Sequence, residues 1–271
     1  MSNRRVSVLI ATYNRPSELN SCLRAIEMNA SQIDVEVCVV NDGGPSIRPI
    51  IQQFPKLNIH FEDLPVNKGQ VYCRNLAFQM ATGDWISICD DDDRFLPNHL
   101  SQLYETAKTQ GCDIPFLFSD IELVVQRISG NVKELILRRN FAWKNADELL
   151  MRYNPIAPSS VLYHRNLHRS IGLFDESVGH YWDWDFWLRS RPFAKFVRIP
   201  MCTVLYGMDA DGSNQSSEPE TMRESLNKLI EKHGLSALPS SNFYRMTEDP
   251  LLVQYKATSR VLWDGDMRIW M

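Results

Sequence analysis

The first 120 or so residues alternate short apolar runs, rich in β-branched residues, with amphipathic segments. The apolar runs cover residues 6–12, 35–42, 57–63 and 85–90. Between them, apolar side chains recur at the spacing of a helix, as Leu19, Leu23 and Ile26 do. Buried strands that alternate with helices are typical of a parallel sheet covered on both faces. The pattern therefore predicts an α/β fold.

The rest of the chain is less regular. The predicted elements are paired strands at 114–124 and 132–139 with a turn at 129–131, strands at 159–165 and 193–200, and a helix at 219–233. Residues 235–271 show no readable periodicity, but large side chains are frequent near their end. We therefore expect this C-terminal tail to pack against the domain or against a partner.

Composition and charge exclude several classes of protein. The 271 residues are 44% hydrophobic, which is enough for a sizeable core. The net charge is −4 and no basic stripe is visible, so a nucleic-acid partner is not expected. No window approaches the ~18 apolar residues of a membrane span, and the N-terminal apolar run is too short for a signal peptide. We predict a cytoplasmic protein without a transmembrane segment, which leaves room for peripheral association with the inner face of the membrane.

Four consecutive aspartates, Asp90–Asp93, follow the apolar run at 85–90 and precede Pro97. Strands of an open α/β sheet end at the crevice where ligands bind, so these carboxylates are predicted to lie there. Crowded carboxylates ionise together only if a cation offsets their repulsion. Mn²⁺ or Mg²⁺ is expected because both prefer oxygen ligands. Phe95 and Ser101 exclude an EF-hand calcium loop, whereas a solvated acidic loop stays open as an alternative.

Four segments in order resemble the family-2 inverting glycosyltransferases, which have the GT-A fold of the nucleotide-diphospho-sugar transferases. They are "VSVLIATYNRPSELNSCLRAI" (6–26), "VEVCVVNDGGPS" (35–46), "NKGQVYCRNLAFQMATGDWISICDDDDRFLPNHL" (67–100) and "GLFDESVGHYWDWDFWLR" (172–189). The resemblance implies a Rossmann-like mixed sheet, mainly parallel and flanked by helices, with a less regular acceptor-side C-terminal half. It divides the chain into a nucleotide-sugar-binding half at 1–113, an acceptor-binding and catalytic-base half of the same domain at 114–234, and a C-terminal extension at 235–271.

The resemblance implies a donor site built from the turns after several strands. Its expected residues are Thr12, Tyr13, Asn14, Arg15, Asp42, Lys68, Arg74, Asp90 and Asp91. The turn at 12–15 is expected to hold the nucleotide base, and Asp42 to accept a hydrogen bond from it. From the residues alone, plainer interpretations stay open: Tyr13 as a packed aromatic, Asp42 as a turn residue, and Arg74 on a solvated helix face.

The resemblance also implies a metal site. Asp92 is expected to be the main ligand, and Asp90 to meet the ribose or the metal through water. Relatives often have a histidine that completes the metal shell within the segment that matches 204–216. This chain has none there, so Asp209, Asp211 or water is expected to replace it.

The segment "YWDWDFWLR" matches the family motif that supplies the catalytic base. The resemblance places that base at Asp183, and a helix cap is the alternative role. The acid that precedes the base in the family is Trp182 here, which is a departure. Trp182 and Trp184 are expected to contact the acceptor, because indole rings can stack on a sugar.

These features predict an inverting glycosyltransferase that moves a sugar from a UDP- or dTDP-sugar to a hydroxyl of a carbohydrate or glycolipid. Bacterial surface polysaccharide synthesis is the setting that the family suggests. A non-catalytic nucleotide- or carbohydrate-binding relative is one alternative, favoured by Trp182 and the missing histidine. A sugar-phosphate nucleotidyltransferase is another, although "ATYNRP" lacks the glycine-rich loop expected after its first strand.

Overall fold

The computed structural model describes residues 5–111, 114–129, 132–210, 219–239 and 241–270, which form one ten-stranded sheet flanked by helices. The strands are β1 Val6–Thr12, β2 Val35–Asn41, β3 Asn58–Asp63, β4 Trp85–Ile88, β5 Arg94–Phe95, β6 Pro115–Ser129, β7 Val132–Phe141, β8 Val161–His164, β9 Lys195–Asp209 and β10 Arg260–Val261. The α-helices are α1 Pro16–Ala30, α2 Arg48–Ile51, α3 Gln70–Met80, α4 His99–Thr109, α5 Ala146–Leu149, α6 Leu167–Ile171, α7 Trp182–Ser190, α8 Pro219–His233 and α9 Phe243–Glu248. Short 3₁₀ turns cover Pro158–Ser160, Glu176–Tyr181, Pro250–Tyr255 and Met267–Trp270.

The strand order is β10-β9-β6-β8-β4-β1-β2-β3, with β5 paired to β9 and β7 paired to β6. Strands β3, β2, β1 and β4 run parallel to one another. Strand β8 is antiparallel to both β4 and β6, while β6, β9 and β10 are again parallel. The predicted mixed, mainly parallel sheet is therefore confirmed.

Burial on both faces explains why β1 and β2 are predominantly apolar, whereas every residue of the edge strand β3 is exposed or half-buried. On one face, Val8 and Ile10 of β1 pack with Leu19 of α1. On the other face, Leu9 packs in the cluster that contains Ala77 of α3. Each fully buried aliphatic side chain of this kind contributes about 1.5–3 kcal/mol. The packing gives a rigid frame whose strand ends carry the loops of the site.

The C-terminal half of the sheet differs from the prediction in the length of its strands. The predicted strand at 193–200 continues to Asp209 because β6 pairs with it along most of its length. The predicted pairing of β6 with β7 is confirmed, although residues 130–131 of its turn lie outside the described residues. The continuous sheet crosses residue 114, so the division into donor and acceptor halves stays a prediction.

The tail from residue 241 onward packs along one edge of the sheet. Strand β10 pairs with β9, and Trp263 and Trp270 pack in a small apolar cluster with Leu96, Val124 and Leu205. Trp270 is 1% exposed. Within the described ranges, none of the helices combines the length and the apolar character needed to cross a membrane.

Candidate active site

One cavity of about 370 Å³ lies where β1, β2 and β4 end, and it extends to the start of α7. The predicted site residues that line it are Thr12, Tyr13, Arg15, Asp42, Arg74, Asp90, Asp91, Asp92, Trp182, Asp183 and Trp184. Parallel strands end at one edge of the sheet, which explains why residues distant in sequence meet here.

Three predicted residues do not line the cavity, and Asp211 lies outside the described residues. Asn14 has a φ of 54°, and its side chain lies against Gly44, so it shapes the turn. Lys68 contributes its backbone N–H, which donates to Asp42. Asp209 is the last residue of β9 and does not line the cavity.

Arg15 holds two of the four aspartates. Its Nη1 atom donates to Asp92 Oδ2 at 2.8 Å and lies 3.3 Å from Asp91 Oδ1. Thr12 Oγ1 donates to the other oxygen of Asp91 at 2.7 Å. Burial, and next the charge of Asp92, raise the pKa of Asp91 to about 7. A single guanidinium group thus faces the carboxylates of both Asp91 and Asp92.

Arg74, on α3, forms an ion pair with Asp90 and is only 3% exposed. Gln70 Oε1 accepts a hydrogen bond from its Nη1 atom at 2.7 Å. The guanidinium carbon lies 4.3 Å from the centre of the Trp182 ring, which supports it through a cation–π contact. The cavity wall thus carries a fixed cation, which suits an anionic ligand.

The carboxylates suit a divalent cation bound through few protein ligands. Among the described residues, no group of three His, Cys, Asp or Glu side chains forms a closed metal cage. Mg²⁺ often binds through one or two carboxylates and takes its other ligands from water and substrate phosphates. Asp90 and Asp92 both line the cavity and provide oxygen donors of that kind. The residues present therefore fit a Mg²⁺ or Mn²⁺ ion shared with a phosphate ligand.

Asp42 follows β2 and binds the loop before α3. Its Oδ1 accepts the backbone N–H of Lys68 at 2.6 Å, and its Oδ2 accepts that of Gly69 at 3.0 Å. Gly69 has a φ of 92°, a conformation that favours glycine. Because each carboxylate oxygen has a second lone pair, Asp42 can accept one more hydrogen bond from a ligand in the cavity.

Asp183 lies in the first turn of α7 and is 6% exposed. Burial raises the pKa of Asp183 to about 7, although hydrogen bonds from the Trp184 backbone and from Asn154 act in the opposite direction. The Asn154 amide donates to Asp183 Oδ2 at 2.7 Å. The helix begins at Trp182 with Tyr181 at the cap position, so Asp183 is not its cap. A carboxyl group with this pKa can accept a proton near neutral pH.

The next two residues of α7 have structural contacts. Trp184 is 3% exposed, and its indole N–H donates to the Leu150 carbonyl at 2.7 Å. Asp185 is fully buried, and its Oδ1 lies 2.8 Å from His233 Nε2 and 2.6 Å from Lys232 Nζ. Asp185 thus joins α7 to α8 and is not free to bind a ligand.

Several lining residues carry no motif in the sequence. Asn154 lies in an irregular segment, and Phe243 and Met246 of α9 come from the tail that has no readable periodicity. Tyr206 of β9 also lines the cavity, with its ring centre 5.2 Å from that of Phe243. The large side chains of the tail indicate that it packs, but they do not indicate where.

The fold and this cavity define a class, the GT-A glycosyltransferases. The backbone superposes on S. aureus TarS 1–349 in complex with UDP-GlcNAc with a TM-score of 0.59 and 18% identity, over 83% of this chain and 66% of that one. It superposes on the mannosyltransferase PcManGT from Pyrobaculum calidifontis, in complex with GDP-Man and Mn²⁺, with a TM-score of 0.59 and 15% identity. That match covers 88% of this chain and 66% of PcManGT, so this chain spans just under two thirds of both solved chains.

Sequence comparison identifies the family. The model for "Glycosyl transferase family 2" matches residues 7–154. The "uncharacterized glycosyltransferase YwdF" of Bacillus subtilis (strain 168) is 35% identical over 263 residues, which are 97% of this chain and 96% of YwdF. The chain belongs to glycosyl transferase family 2. The family, the GT-A fold and the enzyme class predicted from the four segments are confirmed.

Proposed function

We propose that this glycosyltransferase moves one sugar from a nucleotide-diphosphate donor to an acceptor hydroxyl, with inversion at the anomeric carbon. A UDP- or dTDP-sugar is the favoured donor, because Asp42 can accept a hydrogen bond from the N3–H of a uracil or thymine base. The acceptor is a carbohydrate or a glycolipid. Two proteins of similar fold, TarS with UDP-GlcNAc and PcManGT with GDP-Man and Mn²⁺, support a nucleotide-sugar donor.

One observation carries the proposal. A buried carboxyl group with a pKa of about 7, that of Asp183, lines the same cavity as Asp90, Asp91 and Asp92. Asp183 suits a proton acceptor. The acidic residues suit a cation that pairs with an anionic leaving group. Transfer of a sugar needs both functions close together. The family model matches only residues 7–154, so the role of Asp183 depends on this geometry and on the motif around it.

The proposed reaction is a single displacement. The acceptor oxygen forms a bond to the anomeric carbon, the bond from that carbon to the phosphate oxygen breaks, and the electron pair leaves with the nucleoside diphosphate. Asp183 takes the proton of the acceptor hydroxyl, and the Asn154 amide orients its carboxylate. Arg74, held between Asp90 and Trp182, provides positive charge for the donor phosphates. A divalent ion bound at Asp92 and Asp90 would supply Lewis-acid neutralisation of the departing diphosphate.

We place the acceptor on the side of the cavity that α7, β9 and α9 form. Tyr206, Phe243 and Met246 give this part of the cavity an apolar and aromatic wall that suits the face of a sugar ring. Trp182 and Trp184 complete this wall of the cavity. The indole N–H of Trp184 donates to the Leu150 carbonyl, which fixes the ring. Surface polysaccharide synthesis at the inner face of a bacterial membrane is the expected setting, and it depends on the resemblance alone.

A binding experiment tests the donor half of the proposal. Thermal unfolding is measured with UDP, dTDP and GDP, each with and without Mn²⁺, because a ligand of the native state raises its apparent stability. We expect a Mn²⁺-dependent shift with UDP or dTDP that Asp92→Asn abolishes. Asp147→Asn, an exposed acid outside the cavity, is the matched control and should keep the shift. A nucleotide shift that is unchanged in Asp92→Asn contradicts the metal assignment.

A turnover experiment tests the catalytic half. Donor hydrolysis or transfer is followed with Mn²⁺, and NMR identifies the anomer formed. Asp183→Asn should bind nucleotide as the parent does and should lose transfer by about 10²-fold or more, the contribution of a general base. Transfer at the parental rate contradicts the base assignment. Donor binding without any turnover in the parent favours the non-catalytic alternative, and pyrophosphate release from a nucleoside triphosphate favours the nucleotidyltransferase.

A further inference from the structure

The acid loop Asp90–Asp93 is held from beneath by a buried arginine. Arg94 is fully buried, and its Nη1 atom donates to the backbone carbonyls of Asp91 at 2.9 Å and Asp93 at 2.7 Å. These bonds go to the main chain of the loop, so they leave the carboxylates of Asp91 and Asp92 directed elsewhere. Arg94 therefore fixes the path of the loop backbone against the mutual repulsion of its four acids.

The charge of Arg94 is balanced by a glutamate on the neighbouring helix. Glu18 Oε2, on α1, lies 2.6 Å from Arg94 Nη2, and Glu18 Oε1 lies 2.5 Å from Lys133 Nζ on β7. Although burial opposes it, these two cations hold the pKa of Glu18 below its ordinary value. The network thus connects α1, β5 and β7 directly under the loop.

Trp270, near the C-terminus, closes this network. Its ring centre lies 4.9 Å from the Arg94 guanidinium carbon and 5.9 Å from Lys133 Nζ. Its carbonyl accepts a hydrogen bond from Ser21 Oγ at 3.3 Å. The ring is 1% exposed and shields both cations from water, which strengthens their interactions with Glu18. A residue of the tail therefore completes the support of a loop far away in the sequence.

Gly207 of β9 links the same ring to the loop. Its backbone N–H donates to Asp93 Oδ1 at 3.1 Å. A Cβ atom at this position would clash with the Asp92 carbonyl and lie 3.1 Å from the Trp270 ring. Loop, strand and indole are thus in direct contact, and a displacement of the ring changes the surroundings of Asp92 and Asp93.

We propose that Trp270 is a positioning residue for the acid loop: acting through Arg94, Glu18 and Gly207, it holds the loop in the conformation that binds a divalent cation and a diphosphate. The binding part of this inference depends on the proposed function. The loop-ordering part does not, because it concerns the structure of residues 90–95 in the free protein. Trp270 then supports the donor site although it does not line the cavity.

The test compares two buried tryptophans of the same apolar cluster. Trp270→Ala removes the ring beside Arg94, whereas Trp263→Ala removes a ring that contacts Arg138 instead. Hydrogen–deuterium exchange in a peptide spanning residues 89–96 is measured without ligand, together with the urea midpoint of each variant. We expect both variants to unfold at lower urea. Only Trp270→Ala should speed exchange in the acid-loop peptide. Equal exchange in both variants overturns the inference.

Binding of UDP with Mn²⁺ by calorimetry provides the second readout. Trp270→Ala should weaken it by about 10- to 100-fold, the usual cost of losing support for a ligating group. Trp263→Ala should bind as the parent does, and Trp270→Phe, which keeps a ring over the cations, should recover most of the affinity. If Trp270→Ala does not fold, Glu18→Gln removes the negative charge that Arg94 and Lys133 share, with little change in shape, and should give the same loss. Parental affinity and parental exchange in Glu18→Gln would refute the proposal.

If the parent binds none of the nucleotides tested, the proposed function fails, and the exchange measurement still decides whether Trp270 orders the loop.

Discussion

Replacing Asp183 with asparagine should stabilise the protein at neutral and alkaline pH while removing its transfer activity. The folded protein holds this carboxyl group in a buried site, where burial raises its pKa to about 7. Asparagine has the same shape, stays neutral, and can still accept the hydrogen bond that the Asn154 amide donates. The substitution therefore removes an unfavourable buried charge with little change in packing.

The size of the effect follows from the pKa difference between the two states. The pKa is about 7 in the folded protein and about 3.9 in an unfolded chain, and each unit corresponds to ~1.4 kcal/mol. Because the folded state binds this proton more tightly, the free energy of unfolding of the parent falls as pH rises. The fall begins above the unfolded pKa and is complete above the folded one. Between about pH 4 and about pH 8, the variant should gain up to about 4 kcal/mol relative to the parent.

Urea unfolding of parent and variant across this pH range, in metal-free buffer, measures the difference directly. The neighbouring Asp90 and Arg74 shift the pKa of Asp183 in opposite directions, so both stay unchanged in the comparison. Asp175→Asn is a control of opposite sign. Lys232 and Ser177 hold the pKa of Asp175 at about 2 against the effect of burial, so its contribution is present at neutral pH and is lost on acidification. Parallel stability profiles for the parent and Asp183→Asn would show that Asp183 has an ordinary pKa and would refute the reasoning.

Three further predictions concern single side chains. Asn154→Ala removes a hydrogen bond that lowers the pKa of Asp183, so the acidic limb of the rate–pH profile should move to higher pH. An acidic limb at the parental pH contradicts this role of Asn154. Asp185→Asn breaks a buried ion pair with Lys232 and should cost about 3 kcal/mol in urea unfolding without weakening nucleotide binding; a large loss of affinity would place it in the site. Asp42→Ala leaves two backbone N–H groups without their acceptor and should weaken UDP binding roughly tenfold in calorimetry, whereas unchanged affinity contradicts its role.

The parts of this protein that depend on local pattern were predictable from the sequence. The run from Val6 to Thr12 is mostly apolar and rich in β-branched residues because helices cover both faces of the sheet. Its residue types therefore indicate that the strand is buried. The acid loop is adjacent to a strand in the sequence, and parallel strands end at one edge, which predicts that Asp90–Asp93 lie in the crevice. Asp90, Asp91 and Asp92 do line the cavity, whereas Asp93 is fully buried and accepts a hydrogen bond from the Gly207 backbone. The resemblance implies that Thr12, Asp42 and Arg74 share one site, and all three line one cavity.

Features that depend on contacts between distant segments left no local pattern to recognise. The order of β6, β8 and β9 in the sheet is set by pairing across long separations, and so is the course of the tail. Asp183 and Asp185 are alike in the sequence, two residues apart on one helix. Burial beside Asn154 raises the pKa of the first, whereas His233 and Lys232 hold that of the second below its ordinary value.

The support of the acid loop shows the same limit most clearly. Arg94 follows the four aspartates directly in the sequence. In the folded chain it binds the loop backbone and pairs with Glu18 under the ring of Trp270, and nothing in the local sequence indicates these partners. Amphipathic periodicity shows which side chains are buried, because burial selects residue type. It does not show which buried groups meet, because that depends on how the elements pack in three dimensions.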